Sequence, residues 1–309
     1  MTHPLKRNPR QGEYARSILR DTPGTNLQLQ SEAAGTYTPP VNAFEAGVKV
    51  LYKYRPLGDL PVRADGTTAT QAAVQLLTGR MLYAASPSEL NDVFELTVRH
   101  GETIPEAGSQ FIRHAFEQAK QTADLGDGLR TFVDNVLSLP SDQLGPIHEA
   151  FLALLEADWR RTRIISLSAR CNEHLMWAHY AGSHTGFCVG FRVRPFNMFA
   201  EALQVVYHES APVFTLGTAR LEELHEAATL AKSAHWSYED EWRMIFRHIT
   251  HEIPKLLPFA AADLAEIIFG LRVHEEAECA VRAASADVPN VKFGRIRTTR
   301  SNELEVAWD

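Results

Sequence analysis

Cysteine is scarce in this chain. Three occur in 309 residues, Cys171, Cys188 and Cys279, an odd number with no Cys-x-x-Cys spacing. That argues against a disulfide framework and against a structural zinc site, and it suits a reducing cytosol. Long apolar runs are missing too: no segment has the roughly 20 consecutive apolar residues that a membrane helix needs. The N-terminus, MTHPLKRNPRQGEYARSILR, is basic without a continuous apolar stretch, so no secretory signal and no membrane partner are expected, and the chain is assigned to the cytoplasm. Nor is there an excess of positive charge. Thirty-one Lys and Arg stand against 38 Asp and Glu, a formal charge of -7, and the pI is near 6.0. A protein whose whole surface grips nucleic acid needs a cationic footprint to displace counterions, so only a local basic groove is compatible with these totals. Repeats and low-complexity tracts are also absent.

What is present is an ordinary globular mixture, 45% hydrophobic and 22% charged, enough to bury a substantial core. Residues 1–46 mix Pro, Gln, Thr and Gly with no sustained period and read as a partly disordered N-terminal extension. Residues 47–309 read as a single α+β domain. GVKVLYKYR alternates like a strand, TATQAAVQLLTGR is a helix stopped at Gly79, and RMLYAAS is a second strand. Helical patterns fill 103–162, which is expected to be an insertion or lid. Strand signals then resume with RIISLSA, GFCVGFRV and LQVVYH. A helix follows at ARLEELHEAATLAKSAH, then the strands EWRMIFRH and AEIIFGLR, a helix at EEAECAVRAASA, and the strands VKFGRIRTT and ELEVAW. This order predicts an α+β fold around a twisted, mostly antiparallel sheet, or two packed sheets, with a helical insertion.

Several stretches carry chemistry. In LYKYR, period 2 puts Tyr52 and Tyr54 on one strand face and Lys53 and Arg55 on the other. The cations are either an edge strand's solvated charges or an anion-binding arginine, since a guanidinium offers paired donors to phosphate or carboxylate. In ASPSELNDVFEL, Asn91 and Asp92 are natural turn or cap residues, and Glu95 with Asp92 has ligand chemistry but no nearby histidine. Ser166 and Ser168 alternate on one strand face. His174, Trp177 and Tyr180 recur at helical spacing, with His179 beside them and His184 beyond Gly182. The histidine spacing matches no metal motif, and an aromatic and imidazole wall for a ring-bearing ligand is the more economical reading.

HWSYEDEWRMI sets three acids among aromatics. On a strand, Glu241, Arg243 and Ile245 face one way, Trp242 and Met244 face the core, and Glu239 falls on the Glu241 side. The pair is either a surface acid cluster answered by Arg243 and Arg247, or a carboxylate in a partly dry aromatic pocket that stabilises positive charge or acts as a base.

LYKYR, LYAASPSELNDVFEL, SLSARCNEHLMWAHYAGSHTGFCVGF, SYEDEWRMIF and AEIIFGLR, in that order, resemble the bacterial domain-of-unknown-function family numbered 2971. The resemblance covers about residues 48–309 and is most specific over Met176 to Phe191. Val93 departs from the proline usual there. The order of the polar motifs is similar, more distantly, to ADP-ribosyltransferases of the arginine, serine, glutamate type, with Arg55, Ser166 and Ser168, then Glu239 and Glu241.

That resemblance implies NAD as substrate, with Arg55 on its phosphates or ribose, Ser166 and Ser168 shaping the nicotinamide-ribose site beside Tyr54 and His179, and Trp177 or Tyr180 stacking on nicotinamide. Glu241 would accept a ribose hydroxyl bond and stabilise an oxocarbenium-like transition state, with Glu239 serving the acceptor, and no metal would be needed. The implied function is an ADP-ribosyltransferase or NAD glycohydrolase, a toxin or phage-defence effector acting on a protein or nucleic-acid acceptor, with an antitoxin or immunity partner. Two alternatives stand beside it. One is a metal-dependent nucleic-acid-processing enzyme using Asp92, Glu95, Glu239 and Glu241; the other is a non-catalytic nucleotide-binding module.

Overall fold

The computed structural model describes residues 40–62, 64–92, 95, 99–100, 106–122, 127–210, 213–214, 221–247 and 253–309. Most of the expected N-terminal extension, and Val93, lie outside them. The end of that extension is part of the fold: Ala43 is fully buried, its amide donates to Ala202 O at 2.8 Å, and Asn42 bridges to Leu203.

In chain order the elements are β1 (Val50–Arg55), α1 (Ala69–Gly79), β2 (Met81–Tyr83), β3 (Arg99–His100), α2 (Glu106–Thr122), α3 (Asp127–Ser138), α4 (Gly145–Trp159), β4 (Arg163–Ser168), α5 (His174–Tyr180) and β5 (Phe187–Arg192). They continue with β6 (Leu203–Gln204), β7 (Val206–His208), β8 (Val213–Phe214), α6 (Leu221–Leu230), β9 (Ala231–Ser233), β10 (Glu241–Phe246), β11 (Leu256–Pro258), β12 (Leu264–Phe269), α7 (Glu275–Ala284), β13 (Lys292–Thr298) and β14 (Leu304–Trp308).

The fold is α+β. Among the described residues eight strands form one sheet in the order β14-β13-β12-β5-β1-β4-β10-β6, antiparallel except for the parallel β12–β13 pair, and three two-stranded ladders accompany it. Its central strands bury both faces, so their sequences are nearly continuous apolar runs. On one face Leu51, Leu167, Val189, Trp242 and Ile267 pack with Leu77 of α1 and Val281 of α7. On the other, Tyr54, Cys188 and Ile268 lie under Met176 and Trp177 of α5. The region expected to be a helical insertion holds α2, α3 and α4, with its own small cluster of Ile112, Val136 and Leu144.

Local chemistry sets the element ends. Thr68 opens α1 with a reciprocal capping box to Gln71, and Arg80 in the left-handed region (φ 50°) closes it, one residue beyond the expected stop at Gly79. The predicted helix through ATLAKSAH ends sooner, at Leu230. Lys232 instead pairs with Tyr207 in a parallel β7–β9 ladder, and the Ser233 side chain caps a 3-10 turn over 234–239. The backbone partner offered by β7 outweighs helix propensity there. The first residues of that predicted helix lie outside the described residues.

One irregularity positions the site. β1 pairs with β5 along all six of its residues, and β4 with β10 along six, but β1 meets β4 in register only at Tyr52↔Ser168. Beyond that pair the two strands part. Lys53 spans the opening, its Nζ donating to Ser166 O at 2.7 Å.

Candidate functional site

The parting of β1 from β4 leaves a cavity of about 80 Å³ in the middle of the sheet, lined from β1 by Tyr52, Lys53 and Tyr54 and from β4 by Ser166 and Ser168. Tyr180 of α5, Lys232 of β9, Glu239, Glu241, Asn91 and Glu95 add its polar wall, and Leu90, Leu167 and Met176 its apolar part. The register explains the convergence. Ser168 stands opposite Glu241 and Ser166 opposite Arg243, so all four side chains leave the same face. Glu239 reaches that face by a route that period-2 counting does not describe. It ends the 3-10 turn, and Asp240 (φ 43°) turns the chain before β10 begins.

A buried ion cluster organises the wall. Lys232 Nζ lies 2.6 Å from Glu239 Oε2, 2.9 Å from Glu241 Oε2 and 3.1 Å from Glu95 Oε1. Arg243, fully buried, donates from Nε to Glu241 Oε1 at 2.8 Å, from one terminal nitrogen to Thr229 O at 2.6 Å, and from the other to Glu241 Oε2 at 3.0 Å, and it pairs with Glu95 Oε1 at 3.0 Å. Trp236 lies 5.2 Å from the Lys232 ammonium, a cation–π contact that shields it from water. The surface acid pair considered from sequence is thus a buried one, with Lys232 its second cation.

The two glutamates of the Glu-x-Glu pair have different electrostatic states. Burial pushes both carboxyls up. At Glu241 the Arg243 and Lys232 charges overcome that, helped by the Ser166 hydroxyl, and hold the group well below the usual carboxylate range. At Glu239 burial prevails over Lys232, and the carboxyl sits above its ordinary value. Burial likewise raises Glu95, against Arg243 and Lys232. Lys232 itself stays raised, because Glu241, Glu95 and Glu239 outweigh its burial. Three carboxylates against two cations leave the cluster one negative charge in excess when all are ionised.

Hydrogen bonds fix the rest. Ser168 donates to Glu239 O at 2.6 Å and accepts from the Arg170 amide at 3.0 Å, tying β4 to the turn that presents Glu239. Tyr207 accepts the Glu241 amide at 2.9 Å. Tyr180 donates to Glu239 Oε1, and Asn91 donates to the Tyr180 hydroxyl. Tyr54 donates to Arg170 O at 2.8 Å and Tyr52 to Glu266 Oε2 at 2.9 Å.

The structure therefore brings Tyr54, Ser166, Ser168, Tyr180, Glu239 and Glu241 together at one cavity and leaves three other candidates elsewhere. Arg55 is half-buried at the end of β1 and is not part of the cavity wall. Trp177 is fully buried in the core, edge-on to Tyr54 at 5.2 Å, with its indole donating to Cys171 O at 2.8 Å. His179 is exposed and lies against Tyr238. The histidines point apart, His174 bonding Asn302 O at 2.8 Å and His184 stacking on Trp177. Among the described residues no group of three or more His, Cys, Asp or Glu is arranged to hold a metal ion. Of the four acids in the metal-dependent alternative, Glu95, Glu239 and Glu241 turn instead to the Lys232 ammonium.

Sequence reasoning missed Lys232, hidden in what read as a helix end, and Tyr207. It noted Lys53 without assigning it to this site, and grouped Glu95 with Glu239 and Glu241 in the metal-dependent alternative alone. The lone lysine among small residues in LAKSA, four positions before a tryptophan, was the available signal for Lys232.

Residues 176–244 match the family described as a protein of unknown function, DUF2971. The match begins in α5 and ends in β10, so it takes in Tyr180, Lys232, Glu239, Glu241 and Arg243 but neither β1 nor β4. Comparison with curated proteins and with solved structures gave no match. No described helix is long and apolar enough to cross a membrane.

Proposed function

We propose that the protein cleaves the nicotinamide–ribose bond of NAD, passing ADP-ribose to a macromolecular acceptor or to water. The reading rests on one observation: the Tyr52–Tyr54 end of β1, the Ser-x-Ser of β4 and the Glu-x-Glu at β10, remote in sequence, line a single cavity at the parting of two strands. A bond that breaks with positive charge growing on the ribose is favoured by fixed negative charge nearby, and the cluster carries that excess when its three carboxylates are ionised.

Within this reading the two acids divide the work differently from what the motif order implies. Glu241 is saturated by Lys232, Arg243 and Ser166 and serves as the anchor that holds the cations. Glu239 faces the ribose, accepts a hydroxyl bond and stabilises the developing cation. Tyr180, bonded to Glu239 Oε1, supplies the ring surface proposed from sequence for nicotinamide. A cavity of about 80 Å³ is room for two or three waters at ~30 Å³ each, well under the ~300 Å³ of ordinary ligand pockets. Binding therefore accompanies separation of Asn91 from Tyr180, which widens the cavity for the nicotinamide ribose.

The test is nicotinamide release from NAD by the purified protein, with EDTA present and with Glu239→Gln in parallel. Release that survives EDTA and falls at least tenfold in a variant of unchanged urea midpoint supports the reading. No release by the native protein, even with cell lysate added as a source of acceptors, overturns it.

A further inference from the structure

We infer that Lys53 is the general base of this site, taking the proton from the water or acceptor hydroxyl that attacks the ribose anomeric carbon; the inference rests on the NAD reading above. The carboxylates of the cavity wall are ill placed for that task. Glu241 is held by Lys232 and Arg243, Glu239 by Lys232 and Tyr180, and Glu95 by both cations. Lys53 differs. Lys53 lines the cavity, and its amine donates to a backbone carbonyl, Ser166 O at 2.7 Å, reached across the parting of β1 from β4. That bond anchors the nitrogen through one N–H and takes no lone pair, so the neutral amine keeps its lone pair for a proton.

In the step, the neutral amine's lone pair takes the proton of the attacking O–H as oxygen bonds to the anomeric carbon. The carbon–nitrogen bond breaks, its electron pair leaves with nicotinamide and neutralises the pyridinium, and the proton stays on Lys53 until solvent removes it. A base works best when its pKa lies near the working pH. Burial, with the Arg55 charge beside it, lowers Lys53 to about 7, against the pull of Glu241 and Glu239. The groups facing it are Arg55 on its own strand, Lys232 from β9, Glu239 from the turn, Glu241 from β10, with Glu95 and Tyr180 across the cavity. Of the wall's other shifted groups, Glu241 is held low, Tyr180 high and Lys232 charged, while Glu239 and Glu95, raised by burial, are engaged by the Lys232 ammonium.

The experiment measures nicotinamide release against pH for the native protein, Lys53→Arg and Lys53→Met, together with ADP-ribose affinity. Arginine keeps the charge but cannot serve as a base near neutrality. The native rate is expected to rise through a step near pH 7, and both variants to lose about 10²-fold or more, the usual contribution of a positioned base, while Lys53→Arg keeps its ADP-ribose affinity. Lys53→Arg retaining the rate and the step overturns the base role alone; no native release at any pH overturns the NAD reading and the base role together. Independently of NAD, competitive acetylation of the Lys53 amine, read by peptide mass spectrometry, is expected to titrate near 7. A midpoint near ~10.4, the value of an unperturbed lysine, overturns the inference even if nicotinamide is released.

Discussion

Lys232 Nζ donates to Glu239 Oε2 at 2.6 Å, and both groups are buried. Because the same ammonium also holds Glu241 and Glu95, its removal leaves Glu239 without its cation and Glu241 and Glu95 sharing Arg243. Breaking a buried pair by deleting one partner costs about 3–5 kcal/mol, so Lys232→Met should lower the unfolding free energy from urea titration by an amount of that order, with a matching fall in the midpoint. Glu95→Gln removes the excess negative charge and should move the midpoint far less, or raise it. Equal losses in the two variants would contradict the charge imbalance assigned to the cluster.

The cluster and Lys53 act on stability in different pH ranges. Glu241 is depressed in the folded state, so its contribution is present above the unfolded carboxylate value and is lost only as pH falls through its low folded value. Lys53 is lowered from 10.5 to about 7, so between those values the unfolded chain binds more protons than the folded one. Stability should therefore rise from pH 7 toward pH 10 on account of this residue. Urea midpoints at several pH values should show that rise in the native protein and a flatter profile in Lys53→Met.

Gly186 sits where the end of β1 crosses the turn after α5. A Cβ there would lie 2.1 Å from Arg55 O and 2.9 Å from both Ala181 O and Pro56 Cα, all backbone atoms that cannot rotate aside. Gly186→Ala should destabilise by several kcal/mol or prevent folding, whereas Gly128→Ala, with nothing nearby, should not. Thermal melting of the two variants side by side checks this.

Trp177, fully buried between Tyr54 and His184, is a structural member of the sheet face under the cavity. Trp177→Ala should cost about 3–5 kcal/mol, the range for emptying a core tryptophan site. Trp177→Phe should cost less, about 1–3 kcal/mol, chiefly by leaving Cys171 O without its indole donor. Unfolding free energies from urea titration would show whether the two losses fall in that order.

The α+β class, the strand at LYKYR, the shared face of Ser166 and Ser168, and the core side of Trp242 and Met244 were all legible in the sequence. Each follows from a short-range period that side-chain burial imposes on consecutive residues. The candidate acids were legible for the same reason: three charges among aromatics stand out in any window. Of their partners Arg243, two residues along the same strand, was legible, whereas Lys232 was not, because an ion pair between distant elements leaves no mark on local pattern. Lys232 reads as the end of a helix until β7 offers its backbone a parallel partner, and Glu95 reads as loop until the fold carries it beneath Lys232 and Arg243. Trp177 and Arg55 have suitable chemistry, yet packing buried one in the core and left the other beside the cavity.

The sequence by itself determined most of the strands and helices, the Lys232 strand excepted, and which residues have the chemistry of a site, since both depend on residues near one another along the chain. Only the tertiary structure decided that β1 and β4 part after Tyr52 and Ser168, that Lys53 spans the opening, and that one glutamate is held below its usual range while its neighbour is raised. Those outcomes depend on which charges lie within a few ångströms through a medium that excludes water. Chain folding sets those distances, and sequence separation does not.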